Sequence, residues 1–235
     1  MRPLGFSTGA LARGDFRTAL SMVAGHGTSA VELSALRTVE LGSLLDAVDS
    51  LRLDDFQHIS VHAPSKFEAA DESWIVETLR RIAADRWPVV VHPDTIHSAQ
   101  HWRAFGSRLL IENMDKRKPI GRSAAELEMI FAELPEAGLC LDLAHARQFD
   151  PTMVEAYRIL NIHGSRLRQV HLSDVSSASK HTWLSYGAIH DFQEVAMLVP
   201  PSVPVILESP VSAQGIAAEL RRAREALPSP ALVRL

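Results

Sequence analysis

Residues 139–144 read LCLDLA, an apolar run that contains one charged residue, Asp142. Such a nearly continuous apolar run is typical of a parallel β-strand that is buried on both faces. Seven similar runs lie on either side of it along the chain: GFS (5–7), AVELSA (30–35), HISVHA (58–63), PVVVHP (88–93), LLIEN (109–113), RQVHLS (168–173) and PVILES (204–209). Together the runs predict eight parallel strands.

Helical patterns separate these runs. Residues 71–85 place Trp74, Ile75, Leu79 and Ile82 on one helix face. Ser123 and Glu126 form a capping-box pattern at the start of a later helix. Strands that alternate with about eight helices predict an α/β fold, a (β/α)₈ TIM barrel, as a single domain over residues 1–235. A doubly wound open sheet is the alternative, but no glycine-rich turn follows the first strand.

Composition excludes several classes of protein. The 235 residues include 24 Lys and Arg against 28 Asp and Glu, and the net charge of −4 provides no general attraction to nucleic acid or anionic membranes. One cysteine, Cys140, cannot form an internal disulfide and favours a reducing compartment. The first residues lack the apolar core of a signal peptide. We therefore expect a globular, cytoplasmic protein.

An ionisable residue ends most of the apolar runs. These residues are His62, His92, Glu112, Asp142, His171 and Glu208. In a (β/α)₈ barrel the carboxyl ends of all strands meet at one mouth, so these side chains should converge there. Burying them together without a counter-ion would cost several kcal/mol each. Carboxylate oxygens and imidazole nitrogens are normal ligands of divalent cations, and the set therefore predicts a metal centre.

Further polar residues lie near the same strand ends. His145 follows Asp142 closely, and His181 lies in the segment after the seventh strand. Both are candidates for additional metal or substrate contacts, with an exposed loop histidine as the alternative for His181. Glu32, in the second run, is a candidate for a residue that contacts the metal ligands without binding the metal itself. A basic run follows Glu112, namely Lys116, Arg117 and Lys118. It predicts a phosphate-binding loop, with solvated surface as the alternative.

The strand-end motifs together resemble a known family. In chain order they read VHAP (61–64), VHP (91–93), IEN (111–113), LDLAH (141–145), VHLSD (170–174) and ILES (206–209). This order is similar to that of the xylose isomerase-like barrel superfamily, which includes sugar isomerases and epimerases and endonuclease IV-type enzymes. The resemblance covers nearly the whole chain, and it implies the same barrel with a divalent-metal site.

The two branches of that superfamily imply different ligand sets. Resemblance to the epimerases implies one metal, held by Glu112, Asp142, His171 and Glu208. There the two glutamates also act as acid and base, and His145 contacts the substrate. Resemblance to endonuclease IV implies three zinc ions and a larger set, namely His62, His92, Glu112, Asp142, His145, His171, His181 and Glu208. This sequence departs from both: Ser179 replaces an aspartate of the endonuclease pattern, and residues 174–177 lack an arginine of the epimerase pattern.

The leading hypothesis is a divalent-metal-dependent isomerase or epimerase acting on a small sugar, sugar phosphate or keto-polyol. Glu112 and Glu208 would transfer a proton beside a carbonyl group polarised by one Mn, Zn, Co or Mg ion, with up to three ions accommodated. The alternatives are an endonuclease IV-like phosphodiester hydrolase and a barrel that binds a metal or ligand without turnover. We expect a small-molecule substrate, no membrane partner and no tight nucleic-acid partner. The sequence leaves open whether the chain forms a homo-oligomer.

Overall fold

Eight parallel strands form a closed barrel in the computed structural model, which describes residues 2–84 and 86–228. The barrel strands and the two strands of a separate hairpin are β1 (Leu4–Ser7), β2 (Ala30–Ser34), β3 (His58–His62), β4 (Val89–Val91), β5 (Leu109–Glu112), β6 (Gly138–Asp142), β7 (Leu167–Leu172), β8 (Asp174–Val175), β9 (His181–Thr182) and β10 (Val205–Leu207). The hydrogen-bonded order is β1, β10, β7, β6, β5, β4, β3 and β2. Each apolar run contributes one barrel strand, so the predicted (β/α)₈ barrel is confirmed.

Helices surround the barrel. They are α1 (Thr8–Ala12), α2 (Phe16–Val23), α3 (Glu40–Ala47), α4 (Glu72–Ala83), α5 (Ala99–Trp102), α6 (Ala124–Glu133), α7 (Leu143–Phe149), α8 (Val154–His163), α9 (Tyr186–Gln193) and α10 (Ile216–Ala226). Among the described residues, no helix has the length and apolar character needed to span a membrane.

Helix α4 differs from the prediction at one residue, Trp74. Ile75, Leu79 and Ile82 are fully buried, as predicted. The prediction for Trp74 is wrong, because its side chain is 51% exposed. Successive residues of a helix are rotated by about 100°, and the face that packs on the barrel is centred on the three aliphatic residues. Trp74 lies outside that face and points to solvent.

Close approach of β1 to β2 requires a glycine. A Cβ atom at Gly5 would lie 1.6 Å from the carbonyl oxygen of Ala30, so any side chain there would push the two strands apart. The same pairing brings the ends of these strands together at the mouth. There the hydroxyl oxygens of Ser7 and Ser34 lie 2.7 Å apart.

The interior of the barrel is partly apolar and partly polar. Val90, Leu110 and Cys140 form a small buried cluster that is distinct from the main hydrophobic core. Cys140 is therefore a core residue, as its place within a strand predicts. Other interior positions are polar, and Glu32 and Gln169 are both fully buried. Buried polar groups need partners, and here Gln169 Nε2 donates a hydrogen bond to Glu32 Oε2 at 2.7 Å.

Candidate metal centre

The barrel brings four of the predicted ligands to its mouth. Glu112 ends β5, Asp142 ends β6, His171 lies near the end of β7, and Glu208 directly follows β10. Each offers one ligand atom, and these atoms all lie within 4.8 Å of one another. The convergence follows from parallel strands in register, since Asp142 pairs directly with His171 across β6 and β7.

Glu112 faces two groups of histidines with its two carboxylate oxygens. Its Oε2 lies 3.0 Å from His62 Nε2 and 3.4 Å from His92 Nε2. Its Oε1 lies 3.3 Å from His145 Nδ1 and 3.5 Å from His171 Nδ1. Burial alone would raise the pKa of Glu112, but the charges of the surrounding histidines hold that pKa well below its usual range. Glu112 is thus an anionic group shared between two sides of the mouth.

Several buried ligand atoms at the mouth have no hydrogen-bond partner among the described residues. They include Asp142 Oδ2, His171 Nδ1, Glu208 Oε2 and His92 Nδ1. Unsatisfied buried polar atoms are costly, and a cation supplies what they lack. Carboxylate oxygens and imidazole nitrogens are both ordinary ligands of divalent metal ions. The residues therefore fit a divalent metal.

His145 and His181 extend the cluster on one side. With Asp142 they form another group whose ligand atoms lie within 4.8 Å of one another. His145 lies in the first turn of α7, where its backbone N–H donates to Asp142 Oδ1 at 2.7 Å. His181 lies on β9, half-buried, and its Nδ1 is 2.8 Å from the Ser173 hydroxyl. Both histidines border the open mouth, where a substrate would enter.

Glu208 differs from Glu112 in its surroundings. Its Oε2 lies 3.6 Å from both His171 Nδ1 and His181 Nε2, and it makes no hydrogen bond. Burial raises the pKa of Glu208, partly offset by the charges of the two histidines. Glu208 thus combines a place in the lining of the cavity, a raised pKa and a buried oxygen that has no hydrogen-bond partner among the described residues.

A cavity of about 470 Å³ opens above these residues. Glu208, Glu112 and His181 contribute to its lining, and cationic side chains border it: Arg13, Arg117, Lys118 and Lys180. Of the predicted phosphate-binding run, Arg117 and Lys118 line the cavity, whereas Lys116 is exposed and outside its lining. A cavity of this size suits a small molecule, and its cationic border suits an anionic one.

The basic run also makes protein contacts. Lys118 Nζ lies 2.7 Å from Asp94 Oδ2, and Arg117 Nε lies 3.1 Å from Asp115 Oδ1. Arg117 also donates to the carbonyl oxygens of Ala178 and Ser179, at 2.8 and 3.3 Å. Arg117 therefore holds the loop between β8 and β9, which leads to His181, in addition to bordering the cavity.

Three residues at the mouth were not predicted from the sequence. Asn113 joins the ends of β5 and β6, because its side chain accepts from the N–H of Asp142 at 2.7 Å and donates to the Asp142 carbonyl at 2.9 Å. Its position in the IEN motif was the available signal. Arg13 and Lys180 reach the cavity from loops that carry no distinctive pattern, so nothing in the sequence singled them out.

This chain is similar to a known protein family and to several solved structures. Residues 44–227 match the family described as xylose isomerase-like TIM barrel. No protein of curated function matches the sequence. Among solved structures, endonuclease IV from Thermus thermophilus is similar, with a TM-score of 0.63 and 20% identity over 96% of this chain and 98% of that one.

Two other similar structures come from other bacteria. A xylose isomerase domain-containing protein from Salmonella typhimurium has a TM-score of 0.59 and 17% identity, over 98% of this chain and 97% of that one. A candidate sugar phosphate isomerase/epimerase from Anabaena variabilis has a TM-score of 0.55 and 13% identity, over 94% of this chain and 88% of that one. At these identities the similarity establishes the barrel fold, while the reaction must be argued from the residues of the site.

Proposed function

Since this chain belongs to the xylose isomerase-like TIM barrel family, whose members include isomerases, epimerases and endonuclease IV, we propose that it is a divalent-metal-dependent isomerase or epimerase. Its substrate is a small sugar, sugar phosphate or keto-polyol, and the cationic border of the cavity favours one with an anionic group. A small-molecule substrate is also consistent with the cavity of about 470 Å³.

The position of Glu208 carries the proposal. Its carboxylate lines the cavity, has one oxygen without a hydrogen-bond partner, and has a raised pKa. A base for removing a proton from carbon needs this combination of access and basicity. Glu112 also lines the cavity, but it is buried among histidines and its pKa is held well below its usual range, so it lacks the basicity. Of the two glutamates, Glu208 is thus the better base, and Glu112 is the better ligand.

The residues would divide the work as follows. Glu112, Asp142, His171 and Glu208 would hold the metal. When bound, a divalent cation acts as a Lewis acid on a carbonyl and an adjacent hydroxyl oxygen, which acidifies the proton on the carbon. Glu208 would take that proton and return it to the former carbonyl carbon, while the hydroxyl proton moves to the former carbonyl oxygen, and the two transfers together isomerise the sugar. His145 and His181 orient the substrate hydroxyl groups, while Arg117 and Lys118 hold an anionic group.

Hydrogen exchange at carbon tests the proposal. Protein loaded with Mn²⁺ should incorporate deuterium beside the carbonyl of at least one ketose or ketose phosphate in deuterated water. Glu208→Gln should lower that exchange by about 100-fold or more, the usual contribution of a positioned base. The matched control is Glu194→Gln, an exposed glutamate that should leave exchange unchanged. Absence of exchange with a broad panel, or full exchange by metal-loaded Glu208→Gln, would contradict the proposal.

Phosphodiester hydrolysis is a second candidate, favoured by the two-sided environment of Glu112. Glu112 Oε2 faces His62 and His92 while Oε1 faces His171, and this arrangement supports a carboxylate shared between two ions. Paired metal ions are typical of enzymes that cleave phosphate esters. Two or three zinc or iron ions per chain, together with cleavage of abasic duplex DNA, would favour this reaction. A single ion and no cleavage would favour the isomerase.

A further inference from the structure

Glu32 is a fully buried carboxylate inside the barrel, on β2. Its Oε2 accepts hydrogen bonds from Ser60 Oγ at 3.0 Å and Gln169 Nε2 at 2.7 Å, and it lies 3.1 Å from His171 Nε2. Its Oε1 has no hydrogen-bond partner among the described residues. A charged group in such a place is costly, so its contacts should indicate what it does there.

The amide of Gln169 is oriented toward this carboxylate. Its Oε1 lies 2.7 Å from His58 Nε2, at the start of β3. With the oxygen directed to His58, the NH₂ group is directed to Glu32, and the reversed amide would place two oxygens against each other. Gln169 thus presents its NH₂ group to Glu32. An ionised carboxylate can only accept hydrogen bonds, so Glu32 is an acceptor for a proton on His171 Nε2 as well.

The two nitrogens of His171 have different environments. Nε2 lies 3.1 Å from Glu32 Oε2 and 2.9 Å from Gln169 Nε2, whereas Nδ1 makes no hydrogen bond within the described part of the chain. Because Gln169 Nε2 also donates to Glu32 Oε2, the carboxylate is the acceptor that faces both groups. Nδ1 instead lies 3.5 Å from Glu112 Oε1 and 3.6 Å from Glu208 Oε2, among the candidate metal ligands. An imidazole that donates from one nitrogen to a carboxylate offers the lone pair of the other nitrogen to a metal.

We infer that Glu32 is a positioning residue for the metal centre: it accepts the Nε2–H of His171 and so directs the Nδ1 lone pair of that histidine toward the cation. This role rests on the proposed function, since it requires that the mouth binds a metal. In this role Glu32 acts through His171, although it also offers a ligand atom that lies within 4.8 Å of those of His62, His171 and Glu208. Its effect is to fix the ring orientation and the protonated nitrogen of His171, a ligand that is fully buried.

Zinc affinity tests this role without reference to turnover. Glu32→Leu removes the acceptor and should weaken binding of Zn²⁺, measured by competition with a chelator, by about 10- to 100-fold. Glu32→Gln keeps an oxygen acceptor and should recover most of that loss. Ser60→Ala, the matched control, removes a neighbouring hydrogen bond to Glu32 but leaves its contact with His171, and should bind zinc nearly as wild type does.

A measurement on wild-type protein decides the question even if Glu32→Leu does not fold. In the zinc-loaded protein, nitrogen-15 NMR should show His171 bound through Nδ1, with a solvent-protected Nε2–H. Coordination through Nε2, or zinc affinity that is unchanged in folded Glu32→Leu, would overturn the role of Glu32 alone. Wild-type protein that binds no zinc, manganese or cobalt would overturn the metal centre and this role with it.

Discussion

Asp142 uses its two carboxylate oxygens differently. Oδ1 accepts the N–H of His145 at 2.7 Å and caps the amino terminus of α7. Oδ2 has no hydrogen-bond partner among the described residues and belongs to the candidate metal centre. Asp142 thus contributes both to the stability of α7, through its cap, and to the candidate metal centre. Mutation can separate these two contributions.

We expect Asp142→Asn to lower metal affinity sharply but to preserve the stability of the metal-free protein, because the amide oxygen can still cap α7. Asp142→Ala should lower metal affinity as well, and loss of the cap should also lower the free energy of unfolding of the metal-free protein by about 1 kcal/mol. Equilibrium dialysis and urea unfolding of the metal-free variants measure the two effects. Metal occupancy that stays at the wild-type value in both variants would remove Asp142 from the ligand set.

At the scale of elements, the start of α6 shows how a helix between two site-bearing strands is stabilised. Ser123 Oγ accepts the N–H of Glu126 at 3.2 Å, which confirms the predicted cap. The other half of the capping box differs, because Glu126 Oε2 accepts from the backbone N–H of Arg122 at 2.7 Å, one residue before the cap. The guanidinium of Arg122 also binds this carboxylate, because its Nη2 donates to Glu126 Oε1 at 2.6 Å.

Ser123→Ala should therefore lower the free energy of unfolding by about 1 kcal/mol, the usual contribution of a serine cap. Ser98 provides a matched control, since it precedes α5 but makes no capping hydrogen bond through its side chain. Ser98→Ala should change stability by less than about 0.5 kcal/mol. Urea unfolding compares the two variants, and equal losses in both would show that the cap of α6 contributes nothing specific.

At the scale of the whole molecule, Cys140 reports on opening of the barrel. It is the one cysteine of the chain and is fully buried in the barrel interior, where burial raises the pKa of its thiol. Both effects suppress reaction with iodoacetamide. We expect alkylation only through global unfolding, so that its rate rises with urea as steeply as the equilibrium unfolding constant does. Rapid labelling while tryptophan fluorescence stays native would reveal local opening instead.

The sequence was sufficient to predict the strands and the meeting of their ends. Runs such as 139–144 are apolar on both faces because parallel barrel strands are covered on both sides. This pattern can be recognised in the sequence without knowing which strands pair. Once strands are parallel, their carboxyl ends share one mouth. The convergence of Glu112, Asp142 and His171 follows from that topology, and the structure places them together.

Tertiary structure alone decided which of these groups touch. Glu32 and Gln169 are 137 residues apart in the chain, yet their side chains lie 2.7 Å from each other across the closed barrel. The same closure surrounds Glu112 with histidines and leaves Glu208 facing the cavity, so two glutamates that look alike in sequence acquire opposite pKa shifts. Local patterns specify strands and helices, whereas contacts and electrostatic environments depend on where distant segments are brought together in space.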